Sequence, residues 1–248
     1  MEEDREEFIL ILEREYPSLS DKETKSFLLK WSMKGRLKAV TFTFDHMFAP
    51  YRADSFFTKF LNTSMVQQVL SIPPASINVN IKSVRCTLTN MDIFHKLSSL
   101  TYESGKIKKC MDEIFETILI SDKLRECLLL EDSPDYCLFT EKERDEFLFR
   151  LFKHICVGGE VCQQEDEIKP YIDITRKIYR DLISVQKNPV SKMIEIISHV
   201  YEIQANDGQN LVFPSDKEHL NTFAYAIVDP LKRNLILFYH TFGCGEMY

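Results

Sequence analysis

The chain has 248 residues, 44% hydrophobic and 28% charged, with a net charge of −7 and a pI near 5.5. That balance is ordinary for a folded soluble protein; the acidic charge argues against a nucleic-acid binder, and no run approaches the roughly 18 apolar residues of a membrane helix. Only 7 Gly leave little room for a glycine-rich nucleotide fold, and 7 Cys at irregular spacings behind an acidic N-terminus read as reduced thiols of a cytosolic protein.

In chain order, Phe8–Leu12 is a short apolar run read as a strand, because Pro17 follows closely. Ser20 and Glu23 have capping-box spacing, so a helix is expected from Ser20 to Trp31, stopped by Gly35. Leu37–Phe44 is β-branched and aromatic, a strand. Residues 45–52 are a loop with Pro50, and 54–61 a short helix with Phe56, Phe57 and Phe60 inward. Pro73-Pro74 breaks the chain. Ile77, Val79 and Ile81 alternate, and Val84, Cys86 and Leu88 resume one step out of phase, which predicts a strand with a bulge or bend near Ser83.

The middle reads as helical. Asn90 caps a helix through Leu97, residues 106–119 form another with Ile107, Met111, Ile114 and Ile118 inward, and Ser121 caps a third through Leu130. After a loop at 131–139, Thr140 and Glu143 form a capping box for the clearest helix of the chain. Its apolar face runs through Phe147, Leu148, Leu151, Phe152 and Ile155, widened by Phe149 and Cys156. Gly158-Gly159 ends it and delivers a turn toward the surface. Residues 168–182 are an amphipathic helix with Tyr171, Ile174, Ile178 and Leu182 inward.

From Met193 the period changes to 2. One strand runs past 203 with a bulge around Ser198-His199, Asn206-Asp207-Gly208 is a hairpin turn, and 222–228 and 235–242 are strands around Pro230. The fold class is α+β: a helical middle, an antiparallel meander at the C-terminus, and N-terminal strands joining its sheet. One domain over 1–248 is expected, with a division near 188–192 as the alternative and residues 1–6 frayed.

Strong chemical motifs are lacking. His154, Cys156 and Cys162 are the candidates for a metal or thiol centre. His154 and Cys156 diverge by roughly 200° on a helix, though, and no second ligand pair has matching spacing. A nucleophilic thiol needs a lowered pKa beside a positioned His. There is no G-x-S-x-G, no Walker sequence and no G-x-G-x-x-G; Gly243-Cys244-Gly245 reads as a turn. Glu165, Asp166 and Glu167 fit a solvated start of the next helix, and Arg144, Arg150 and Lys153 an exposed face. Catalytic, cofactor and metal residues are therefore expected to be none. For a partner surface, Trp, Tyr and Arg are the usual anchors. The candidates are Trp31, Arg36, Asp45, Phe48, Tyr51 and Arg52, and at the glycine turn Gly159, Gln163 and Gln164.

Three stretches go further: LKWSMKGRLKAVTFTFDHMF from Leu29, DEFLFRLFKHICVGGEVCQQED from Asp145, and FAYAIVDPLKRNLILFYHTFGCGEM from Phe223. Glu131-Asp132-Ser133 and IYRDLISVQKNP from Ile178 fit between them. Together they resemble the cilia- and flagella-associated protein 300 family over residues 18–248; the first sixteen residues and 63–84 match least. The resemblance implies a non-enzymatic factor of the cytoplasm and the ciliary axoneme, needed for preassembly of outer and inner axonemal dynein arms. Implied partners are dynein assembly factors, co-chaperones and axonemal dynein chains, with no cofactor, nucleic acid or membrane. A cargo adaptor for intraflagellar transport is the alternative reading, and a thiol- or metal-dependent enzyme at His154, Cys156 and Cys162 a third.

Overall fold

Sequence periodicity and observed structure agree best where strands alternate cleanly and worst in the helical middle. A computed structural model describes residues 7–74 and 76–245; the frayed end expected at 1–6 lies outside them. The chain opens with β1 (Phe8–Ile11), a single turn α1 (Pro17–Ser20), α2 (Lys22–Lys30) and β2 (Leu37–Phe44). The cap of α2 is Asp21, not Ser20. The Asp21 carboxylate accepts from Thr24 N at 3.1 Å and from Lys177 Nζ at 3.0 Å, which leaves Ser20 as the end of the preceding turn. Those bonds, Lys177 first, lower the Asp21 pKa to about 2. Next come α3 (Ala53–Leu61), α4 (Ser64–Leu70) and β3 (Asn78–Val84). β3 pairs without interruption through Val84, so of the bulge or bend expected near Ser83 the bulge is absent. The phase shift there marks where the chain leaves the sheet.

The next correction is larger. Residues 106–119 are no helix: β4 (Lys109–Phe115) and β5 (Ile118–Asp122) form a hairpin, and Met111 and Ile114 face solvent. Asp122 rather than Ser121 caps α5 (Lys123–Leu129), accepting from Arg125 N at 2.9 Å. Residues 92–100 form a 3₁₀-helix with Asn90 at its start. The capping box of Thr140 and Glu143 is present, yet it serves only a single turn, α6 (Glu141–Arg144). The helix expected to continue is broken at Glu146, whose backbone is extended. The buried Glu146 carboxylate accepts from Arg85 Nε at 2.6 Å, Thr87 Oγ1 at 2.6 Å and Thr87 N at 2.9 Å. Those bonds outweigh one more helical turn. α7 (Phe147–Val157) then starts afresh, followed by α8 (Lys169–Leu182).

The remainder is strand: β6 (Val185–Lys187), β7 (Ile194–Ile196), β8 (His199–Asn206), β9 (Leu211–Phe213), β10 (Phe223–Asp229) and β11 (Asn234–His240). The single bulged strand expected over Ile194–Ile203 is two, β7 and β8, separated at Ile197-Ser198. There Ser198 Oγ accepts from Ser184 N at 2.7 Å. Residues 188–192 are the turn between β6 and β7.

Alternating stretches of chain build two compact units. One comprises Met1–Tyr16, Arg36–Val84 and Leu182–Phe242. It holds an antiparallel sheet in the order β1-β2-β11-β10-β8-β3, with β9 on β8. The N-terminal strands do join the C-terminal meander: β2 lies against β11, Val40 opposite Leu237. Phe42, Phe44, Tyr201, Ile203, Ala226 and Leu237 point to one face, where Phe56, Phe57 and Phe60 of α3 cover them. The other unit comprises Pro17–Gly35, Arg85–Asp181 and Gly243–Tyr248. It centres on α7, nine of whose eleven residues are buried, so that apolar side chains on all sides find cover. Phe152 packs on Phe94, Phe149 on Phe139, and Trp31 lies stacked between Phe27 and Tyr171.

Candidate functional site

The loop 45–52 is held from below and open above. Phe48 is buried against Phe56, Phe57 and Tyr201, with centroids 5.0 to 6.4 Å away. Its anchoring lifts the flanking residues outward: Met47 is 85% exposed and Tyr51 82%. The Arg52 guanidinium lies 5.6 Å from the Tyr51 ring centroid, a cation–π pair at an exposed tip. Asp45 is occupied. Its carboxylate accepts from His46 Nδ1 at 3.1 Å and Glu7 N at 3.2 Å, and its carbonyl from Arg233 at 2.7 Å. The His46 contact holds its carboxyl below the usual range. Arg36, in the same unit, donates to the carbonyls of Thr241 and Phe242 and braces the end of β11.

The two glycines are buried, and the turn they begin reaches the surface at Glu160, Val161 and Gln163, which are exposed. Gly158 adopts φ +70°, and Gly159 donates to Trp31 O at 2.7 Å. A Cβ on Gly159 would sit 2.2 Å from Ser32 O, so no other residue fits without displacement. Gly243 O accepts from Glu160 N, and Gly245 N donates to Ser32 Oγ, packing the Gly-Cys-Gly segment onto the same turn. Gln163 N donates to Lys30 O at 2.8 Å while its side chain is exposed. The Gln164 amide bridges Ser121 Oγ and Leu119 O, clamping the turn to β5. The structure thus gathers Trp31, Gly159, Gln163 and Gln164 in one unit, and Arg36, Asp45, Phe48, Tyr51 and Arg52 in the other. Trp31, Phe48 and Gly159 are buried supports.

Around His154, Cys156 and Cys162 the chemistry is that of a sealed core. Arg125 is fully buried and donates to Asp122 at 2.6 Å, Tyr171 Oη at 2.7 Å and Cys156 O at 2.8 Å. Tyr171 Oη also accepts from Glu165 N, so one buried ion pair ties α5, α7, α8 and the turn together. Burial pushes the Cys162 thiol up to about 11, with Arg125 opposing, and raises Cys156 well above its ordinary value. Both thiols stay protonated at neutral pH, the reverse of an activated nucleophile. Among the described residues, no three His, Cys, Asp or Glu side chains are grouped to hold a metal ion. The basic face expected on the central helix is also engaged: Arg144 lies 3.5 Å from the Tyr136 ring centroid and donates to Cys127 O, while burial lowers the Lys153 pKa.

Residues 5–240 match the family model described as cilia- and flagella-associated protein 300. The chain belongs to that family. A relative of that name from Chlamydomonas reinhardtii is 31% identical over 244 residues, covering 91% of this chain and 93% of its own. Another from Paramecium tetraurelia is 34% identical over 221 residues, covering 87% and 86%. No solved structure matches the chain. The name ties the cilia- and flagella-associated protein 300 family to cilia and flagella.

In this member of the family, sequence reasoning passed over the ribbon β4–β5 and the first strand of β6–β7. Met111 and Ile114 fell on a helical spacing and were assigned inward. The signal against it is the β-branched pair Ile118 and Ile120 at strand alternation after Glu116-Thr117, where Glu116 takes φ +53°.

Proposed function

We infer that this chain is a non-enzymatic factor for preassembly of outer and inner axonemal dynein arms, acting in the cytoplasm before delivery to the cilium. The observation that carries this reading is family membership over nearly the whole chain, residues 5–240. The structure supports it with an exposed Met, Tyr and Arg tip on a rigid base, the residue types that anchor protein interfaces. Protonated thiols at Cys156, which is buried, and Cys162, which is half-buried, weigh against the thiol-enzyme reading. The candidate contact surfaces are two: the loop carrying Tyr51 and Arg52, with Asp45 shaping it, in one unit, and separately Gln163 beside the glycine turn in the other. The partners are dynein assembly factors, co-chaperones and axonemal dynein chains.

The test is affinity purification of the tagged chain from ciliated cells, separated into cytoplasm and axoneme, followed by mass spectrometry. Dynein heavy and intermediate chains with assembly factors in the cytoplasmic fraction, reduced by Tyr51→Ala with Arg52→Glu, are expected. Intraflagellar-transport proteins in the ciliary fraction without assembly factors would replace this reading with a cargo adaptor.

A further inference from the structure

Two ribbons lie outside the seven-stranded sheet, β4–β5 in one unit and β6–β7 in the other. They and their turns carry seven of the fifteen large apolar side chains exposed among the described residues, so the exposed apolar surface is concentrated there. In β6–β7, Val185 pairs with Ile196 and Lys187 with Ile194. Side chains alternate along a strand, so these four share one face, and Gln186 and Glu195 share the other. The turn adds Val190, 89% exposed, with Met193 and Lys192. In β4–β5, Phe115, Ile118 and Ile120 turn inward, while the pair Ile114 and Leu119 faces out beside Met111. Asp112 and Glu116 flank that pair, both exposed, while Glu113, opposite Ile120, belongs to the other face.

One ribbon is therefore apolar with a basic rim and the other apolar with an acidic rim. An open two-stranded ribbon is marginal in water, and apolar patches rimmed by charge mark interaction surfaces. Like ribbons repel, since Lys187 and Lys192 would meet their own counterparts, or Asp112 and Glu116 theirs. Unlike ribbons attract.

We propose that the chain associates with a second copy of itself, the β6–β7 ribbon of one copy docking on the β4–β5 ribbon of the other. The contact is heterologous, using different surfaces on the two molecules.

Sedimentation velocity of the full chain over a concentration series tests it. Mass-action association, weakened by added salt, is expected. A copy carrying Lys187→Glu and Lys192→Glu, and one carrying Asp112→Lys and Glu116→Lys, should each self-associate roughly hundredfold more weakly. Mixing them restores complementarity on both ribbons, and association should return. The proposal is overturned by a wild-type chain that stays monomeric, by either variant associating like wild type, or by a mixture that does not recover. Circular dichroism confirms that the substitutions, all on exposed side chains, leave the fold intact.

Discussion

Gly159 and His240 show how single positions are fixed by what surrounds them. Since a Cβ on Gly159 would meet Ser32 O at 2.2 Å and Gly243 O at 2.9 Å, Gly159→Ala must displace backbone. A loss of about 3 kcal/mol is expected in urea unfolding. His240 is buried, its Nδ1 donating to Asn221 O at 2.7 Å. Burial pushes its pKa from 6.5 to about 4. Between those values the unfolded chain binds a proton that the native imidazole refuses, so stability falls as pH drops from about 6.5 to 4, by at most about 3 kcal/mol. Urea unfolding across that range checks it, and His240→Gln should flatten the slope. Neither constraint was visible in the sequence, where Gly159 was only a helix stop and His240 unmarked. Residue type told which side chains anchor interfaces, but Trp31 and Tyr51 are equally suited by type. Only burial separates the stacked indole from the exposed phenol.

Elements were legible where their own side chains set the pattern. Leu37–Phe44 and the residues of α3 and α8 read correctly because apolar period and burial coincide. Residues 106–119 misled because Ile107, Met111, Ile114 and Ile118 sit three and four apart, satisfying a helical template while serving two strands. Truncation separates the two assignments. Ile114→Ala should cost less than about 0.5 kcal/mol, since Ile114 faces solvent. Ile120→Ala, at a fully buried position, should cost about 3 kcal/mol. A helix with Ile114 inward would reverse that order in chemical denaturation of the dilute protein. The break between α6 and α7 was hidden for a different reason: Glu146 is claimed by Arg85 and Thr87, about sixty residues away. No local window contains that information.

At the scale of the whole molecule, the class and the joining of N-terminal strands to the C-terminal sheet were readable, while the interleaving of two units was not. The chain passes between them five times, at residues 16/17, 35/36, 84/85, 181/182 and 242/243. Each unit has its own core, and the only Trp of the sequence, Trp31, reports on one of them. Fluorescence in urea should follow that unit alone, and far-ultraviolet circular dichroism both, so the two transitions should not coincide; coincidence would mean a single cooperative block. The strand order carries a consequence for synthesis. Val40 is laid against Leu237, so the ribosome makes one edge of that pair nearly two hundred residues before the other. At 5–20 residues per second this is roughly 10 to 40 s. Throughout it α3 can already cover Phe8, Phe42 and Phe44, but the edge of β2 that later pairs with β11 stands open. Until its last strands emerge, the newborn chain therefore lacks the neighbours that close one side of β2.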